Sequence, residues 1–238
     1  MWHKVLLGNS GAVQILVKLL RTTCIEVREQ AILAIGFMAK GAPDVRDLIF
    51  SLGGLEALLL LVNANSTIQL AQKVSWVLSV LSGWTMPEGR RGVGKQAVQN
   101  IMQSFSFLLY WKDDTDIITH SLLGLTHLLP LVQIDQKNKQ IWERVVKLLT
   151  HSQTKVKRAG LICIKSIIQS NDMQLQFIVE QKLIVLLSEI LAHSDIGIKI
   201  EACYVITILA KKGYYFVWTR HWISLNSNLN STSWIQRC

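Results

Sequence analysis

Stretches of this chain repeat one another about every forty residues. Gln30-Ala31-Ile32-Leu33-Ala34-Ile35-Gly36, Val74-Ser75-Trp76-Val77-Leu78-Ser79 and Ala202-Cys203-Tyr204-Val205-Ile206-Thr207 are apolar helical stretches, each following a shorter Leu-rich one. The equivalent positions are Leu33, Trp76, Leu123, Ile162 and Tyr204, at intervals of 43, 47, 39 and 42 residues. A unit of that size holds two or three helices and cannot bury its own apolar face. It must stack on its neighbours, and the product is an α-solenoid with a long concave groove. Such a groove serves to hold another polypeptide.

The spacing of apolar residues predicts where the helices lie. Val13, Leu16, Val17 and Leu20 give a 3.6-residue stripe over residues 11–20. Helices are expected over 26–40, 43–51, 55–62, 67–82, 96–111, 115–129, 139–149, 154–169, 173–180, 183–192 and 196–212. Gly41-Ala42-Pro43 ends the helix over 26–40, and Pro43 opens the one over 43–51. Gly83 to Gly94 contains four glycines and Pro87 and reads as a loop. Sustained two-residue alternation is missing, so no sheet is expected. The solenoid is expected over residues 1–212, starting in mid-repeat. Residues 213–238, with three of the eight tryptophans and clusters of Asn and Ser, read as an irregular, poorly ordered tail of a truncated or alternatively spliced chain. Uncapped apolar ends would favour self-association.

Composition narrows the function classes. Half of the 238 residues are hydrophobic, yet no apolar run reaches the roughly 18 residues of a membrane helix. No secretory signal opens the chain, since Lys4, Gly8 and Asn9 interrupt the start. Cys24, Cys163, Cys203 and Cys238 show neither pairing nor metal spacing. Cys163 and Cys203 are expected to be small core residues, and a reducing, intracellular setting fits. The net charge is +9, with clusters at Arg90, Arg91, Lys95 and at Lys155, Lys157, Arg158. These form no aromatic-plus-basic ladder, so a solvated basic exterior is expected and nucleic-acid or membrane binding is not.

Catalytic and metal signals are weak. Gly89-Arg90-Arg91-Gly92-Val93-Gly94-Lys95 has the spacing of a phosphate loop, but Gln96 stands where Ser or Thr should hold magnesium and no strand precedes it. His120 and His127 lie seven residues apart without a third ligand. Asp113, Asp114 and Asp116 form an acidic cluster that helix capping by Asp114 or Asp116 explains. Two sequons, at Asn65 and Asn230, have no secretion signal to support them. No nucleophile–base arrangement stands out. The chain is expected to be no enzyme and to need no cofactor or metal.

The longest helix of each unit carries a specific resemblance. Val27-Arg28-Glu29-Gln30-Ala31-Ile32-Leu33-Ala34-Ile35-Gly36-Phe37-Met38-Ala39 resembles the third helix of a repeat in importin α, the armadillo adaptor for nuclear localisation signals. So do Ala42-Pro43-Asp44-Val45-Arg46-Asp47, Trp76-Val77-Leu78-Ser79 and Ile200-Glu201-Ala202-Cys203-Tyr204-Val205-Ile206. The likeness spans roughly residues 9–212. It implies an all-α, right-handed armadillo solenoid of about five repeats with an irregular C-terminal tail. It also implies a protein or peptide cargo in the groove, a role in nuclear import, and residence in cytoplasm and nucleus. No basic segment of the kind that recruits importin β is present, so that partner is not expected through this chain.

In that family each third helix offers the groove a Trp and, one turn later, an Asn. Stacked Trp rings take Lys stems, and the Asn amides bond the peptide backbone. Carried onto this sequence, the pairs are Leu33 and Phe37, Trp76 and Val80, Leu123 and His127, Ile162 and Ser166, and Tyr204 and Ile208. Gln30 and Glu201 match further groove positions. Trp76 is the single Trp kept and no Asn is kept, while Lys40 replaces an expected acid. Two readings stay open: a decaying copy of the adaptor, or a groove retuned for an apolar segment or helix.

Overall fold

The computed structural model describes residues 11–40, 42–83, 95–133, 138–170, 172–180, 182–193 and 195–213. Residues 89–94 of the phosphate-loop-like stretch, residues 214–238 of the C-terminal tail and residues 1–10 lie outside them. Among the described residues are twelve α-helices and no strand. They are α1 (Ala12–Leu19), α2 (Ile25–Ala39), α3 (Pro43–Ser51), α4 (Gly54–Leu60), α5 (Ile68–Ser82), α6 (Lys95–Leu108), α7 (Thr115–Leu128), α8 (Lys139–Lys147), α9 (Thr154–Ser170), α10 (Asp172–Glu180), α11 (Leu183–His193) and α12 (Ile196–Lys211). Short 3-10 turns, Leu129–Leu131 and Leu148–Thr150, follow α7 and α8.

Local chemistry starts and stops these helices. Thr67 Oγ1 accepts from Leu70 N (3.2 Å), Asp114 Oδ1 from Ile117 N (3.0 Å) and Asp195 Oδ1 from Ile198 N (3.1 Å), each satisfying a first-turn N–H that has no helical partner. Asp114 is therefore a cap, as its position suggested. Gly53, at φ 71°, turns the chain between α3 and α4. α6 ends at Leu108, three residues short of the end read from its apolar spacing. Lys112 and Asp113 there take left-handed conformations (φ 52° and 46°), and Trp111 folds inward to 9 % exposure as the chain turns into α7.

The long helices α2, α5, α7, α9 and α12 pack in succession, each against the next. A second helix backs each of them: α1 on α2, α4 on α5, α6 on α7, α8 on α9 and α11 on α12. Helices α3 and α10 connect neighbouring units. Between the two layers runs one continuous core, including Ile32, Ile35, Val77, Leu78, Leu122, Leu125, Leu161, Ile164, Val205 and Leu209. The architecture is an armadillo-type solenoid of about five repeats. Leu33, Trp76, Leu123, Ile162 and Tyr204 are each the ninth residue of their helix, so the period in the sequence is also the register of the stack.

Two glycines let the layers close. A methyl at Gly124 would overlap the buried ring of Phe105, where α6 crosses α7. One at Gly36 would sit 2.8 Å from both Trp76 Cη2 and Val77 Cγ2, where α2 meets α5. One expectation needs correcting. Cys163 is fully buried, but Cys203 is exposed. Cys203 is the eighth residue of α12, and Ile32, Ser75, Leu122 and Leu161 at the same register are buried. Each of those lies on a helix with another long helix packed after it, whereas α12 is the last described helix.

Gly124→Ala is expected to lower stability by about 1–3 kcal/mol by overpacking the α6–α7 contact, read as a lower urea midpoint at unchanged slope. Burial pushes the Cys163 thiol up to about 12. In native protein a thiol reagent at neutral pH should modify Cys24 and Cys203 quickly and reach Cys163 only on unfolding, a distinction that peptide mapping of the labelled protein would read.

Candidate functional site

The ninth and thirteenth residues of each long helix lie one turn apart and share a face. These are the five pairs already named. Leu33, Trp76, Val80, Leu123, Ile162, Ser166 and Ile208 are half-buried, while Phe37 (62 %), His127 and Tyr204 (57 %) are exposed. At the sixth position, Gln30 is exposed and Glu201 half-buried, with Lys73, His120 and Ala159 between them in the row.

Side-chain contacts join parts of this row across the repeats. The rings of Phe37 and Trp76 meet with centroids 4.9 Å apart and planes at 55°. Gly36 makes room for the same indole from below. Ser166 Oγ donates to the Thr126 carbonyl at 2.8 Å, tying α9 to α7. Lys165 Nζ stands 5.7 Å from the ring centre of Tyr204, tying α9 to α12. Gly83, which caps α5, lies beside the His127 imidazole.

Charges along the long helices neutralise one another between repeats. Glu29 pairs with Lys73 across α2 and α5. Asp116 pairs with Lys155 at 2.8 Å across α7 and α9. Glu201, with only 14 % of its side chain exposed, takes Lys165 at 3.4 Å and Arg158 at 3.7 Å across α9 and α12. Between α5 and α7 the bond is polar: Gln72 Nε2 donates to both Asp114 oxygens, at 3.2 and 3.1 Å. The hydrogen bond from the Lys155 ammonium holds the Asp116 carboxyl below the usual carboxylate range. Burial pushes the His120 imidazole down, against the pull of Asp116; its Nδ1 lies 3.3 Å from Ser75 Oγ.

These partners were not picked out from the sequence. The available signal was opposite charges about one period apart, as in Glu29 with Lys73 and Asp116 with Lys155. Among the described residues no group of three or more His, Cys, Asp or Glu side chains is arranged to hold a metal ion, and no helix is long and apolar enough to cross a membrane.

Comparisons with known proteins agree with this architecture. The family model for the Armadillo/beta-catenin-like repeat matches residues 3–36. Importin subunit alpha-1b of Oryza sativa subsp. japonica is 29% identical over 205 residues, which are 82% of this chain and 36% of that protein. Importin subunit alpha-3 of Arabidopsis thaliana is 29% identical over 207 residues, again 82% of this chain and 36% of the relative. The chain thus spans about a third of the length of these relatives. A designed armadillo repeat protein solved in complex with the peptide (KR)4 superposes with a TM-score of 0.72 at 18% identity, covering 86% of this chain and 84% of that one.

His120 makes stability depend on pH. Its folded pKa is depressed, so the unfolded chain takes up the proton first as pH falls. Stability is expected to be full above about pH 6.5 and to fall below it. His120→Gln should lessen that decline, leaving the share of His127, which burial also pushes down, and the loss at carboxylate pH that comes from Asp116. Urea midpoints of both proteins between about pH 7.5 and about pH 5 test this.

Proposed function

We propose that this divergent, importin-α-like armadillo solenoid is a polypeptide-binding adaptor of nuclear protein import, working between cytoplasm and nucleus. Its cargo lies along the ninth and thirteenth residues of the long helices. The observation that carries this reading is Trp76. The resemblance assigns it to the family's Trp position, and it is half-buried with one flank seated on Gly36. An indole held in that way offers an edge and face against which the aliphatic stem of a Lys can pack. Gln30, exposed at one end of the row, would meet cargo side chains, and Glu201 at the other end would present the Lys165 and Arg158 bonded to it. Since the chain spans about a third of its relatives, importin β recruitment is not assigned to it.

A second reading has an observation of its own. Glu29, Asp116 and Glu201 are already paired within the stack, and Phe37 fills the space beside Trp76. A groove so arranged supports a scaffold for a non-basic partner outside import. Fluorescence anisotropy with a lysine-rich localisation-signal peptide separates the two. Import-type binding predicts micromolar or tighter affinity and at least about a tenfold loss in Trp76→Ala, about 1.4 kcal/mol. No binding by the native protein would sink the signal-receptor reading and leave the scaffold.

A further inference from the structure

From the same surface we infer that the preferred occupant is an amphipathic α-helix with a neutral to acidic polar face; this rests on the second reading above, the scaffold for a non-basic partner. Two independent features lead to it. The first concerns the occupant's backbone. An extended peptide laid in a groove exposes N–H and C=O groups on both sides, and each one buried without a partner weakens binding. A groove that takes extended chains therefore needs side-chain amides at regular intervals. The thirteenth positions here are Phe37, Val80, His127, Ser166 and Ile208. None is a carboxamide, and the Ser166 hydroxyl already donates to Thr126. A helix satisfies its own backbone and asks the groove only for apolar contact.

The contact offered is of that kind. Leu33, Phe37, Trp76 and Val80 form an apolar run across α2 and α5, with Phe37 62 % exposed. Leu123 and Ile162 carry the row onward over α7 and α9. Apolar side chains at i, i+4, i+7 and i+11 of a docked helix would sit along such a run.

The second feature is charge. The acids Glu29, Asp116 and Glu201 are already bonded to the cations Lys73, Lys155, Lys165 and Arg158, and Asp114 is bonded to Gln72, so each acid is spoken for. Arg158 and Lys155 keep 62 % and 69 % of their side chains exposed. A lysine-rich helix finds no free carboxylate among these acids, whereas a helix bearing Gln and Glu can meet the exposed Lys155 and Arg158.

The test uses the full chain and four labelled peptides. One is a helix-forming peptide with Leu at i, i+4, i+7 and i+11 and Gln and Glu elsewhere. The others are its scramble, its variant with two central prolines, and its variant with Lys in place of Glu. The first is expected to bind at least tenfold tighter than each of the others, to gain helical circular dichroism on binding, and to lose that affinity in Phe37→Glu. The double variant Phe37→Asn/Val80→Asn, which installs two amides, should narrow the gap to the proline peptide, and its thermal melt reports whether it is folded. Equal or tighter binding of the proline or Lys peptide, abolished by Phe37→Glu, overturns the helix inference and keeps the adaptor. Binding of none of the four, nor of the lysine-rich signal peptide, removes both. A dimer at micromolar concentration that Phe37→Glu disperses would make a second copy the occupant and overturn the inference as well.

Discussion

Each long helix is buried by its neighbours and not by itself, and everything else in the structure follows from that. α5 has α2 on one side and α7 on the other, and the same holds along the series to α12. No single unit could close a core around residues such as Leu78 or Leu122, which are fully buried only within the stack. Stability in such an array is a sum of unit terms and nearest-neighbour terms. The interfaces are therefore where small volumes count. Gly36 and Gly124 hold no functional group, yet each sets the distance at which one helix meets the next.

The same stacking decides what the inner surface can offer. Because successive long helices run at equal register, a carboxylate on one lies within reach of a cation on the next. The chain uses that geometry to cancel its own charges. The exposed member of such a pair adds little to stability in water, since solvent screens it. What the pairing changes is the field that a partner meets: carboxylates that would attract a basic ligand are already bonded. The basic total of the chain and the polarity of its inner surface are thus separate quantities, and only the second bears on what docks there.

Much of the fold was legible in the sequence because the features concerned are local. Apolar spacing located all twelve described helices, and Asp114, whose position suggested a cap, sits at the start of α7. The equivalence of Leu33, Trp76, Leu123, Ile162 and Tyr204 needed only a period. What escaped depends on contact between units. The left-handed pair Lys112 and Asp113 ends α6 early although its apolar pattern continues to Trp111. Cys203 reads as core in its own helix, and its exposure depends on what packs beyond α12. The meeting of Phe37 with Trp76 needs the distance between two helices, which Gly36 supplies and no single-helix pattern reveals.

That meeting has a further consequence. The Trp76 indole belongs to α5, but the surfaces that hold it, Gly36 and Phe37, belong to α2. Its packing is thus a reading of the spacing between two repeats. Any change in the curvature of the solenoid at this joint must slide the ring along Phe37 or lift it from Gly36, and either motion alters its exposure to water. One side chain reports the pitch of the superhelix at the place where the apolar run begins.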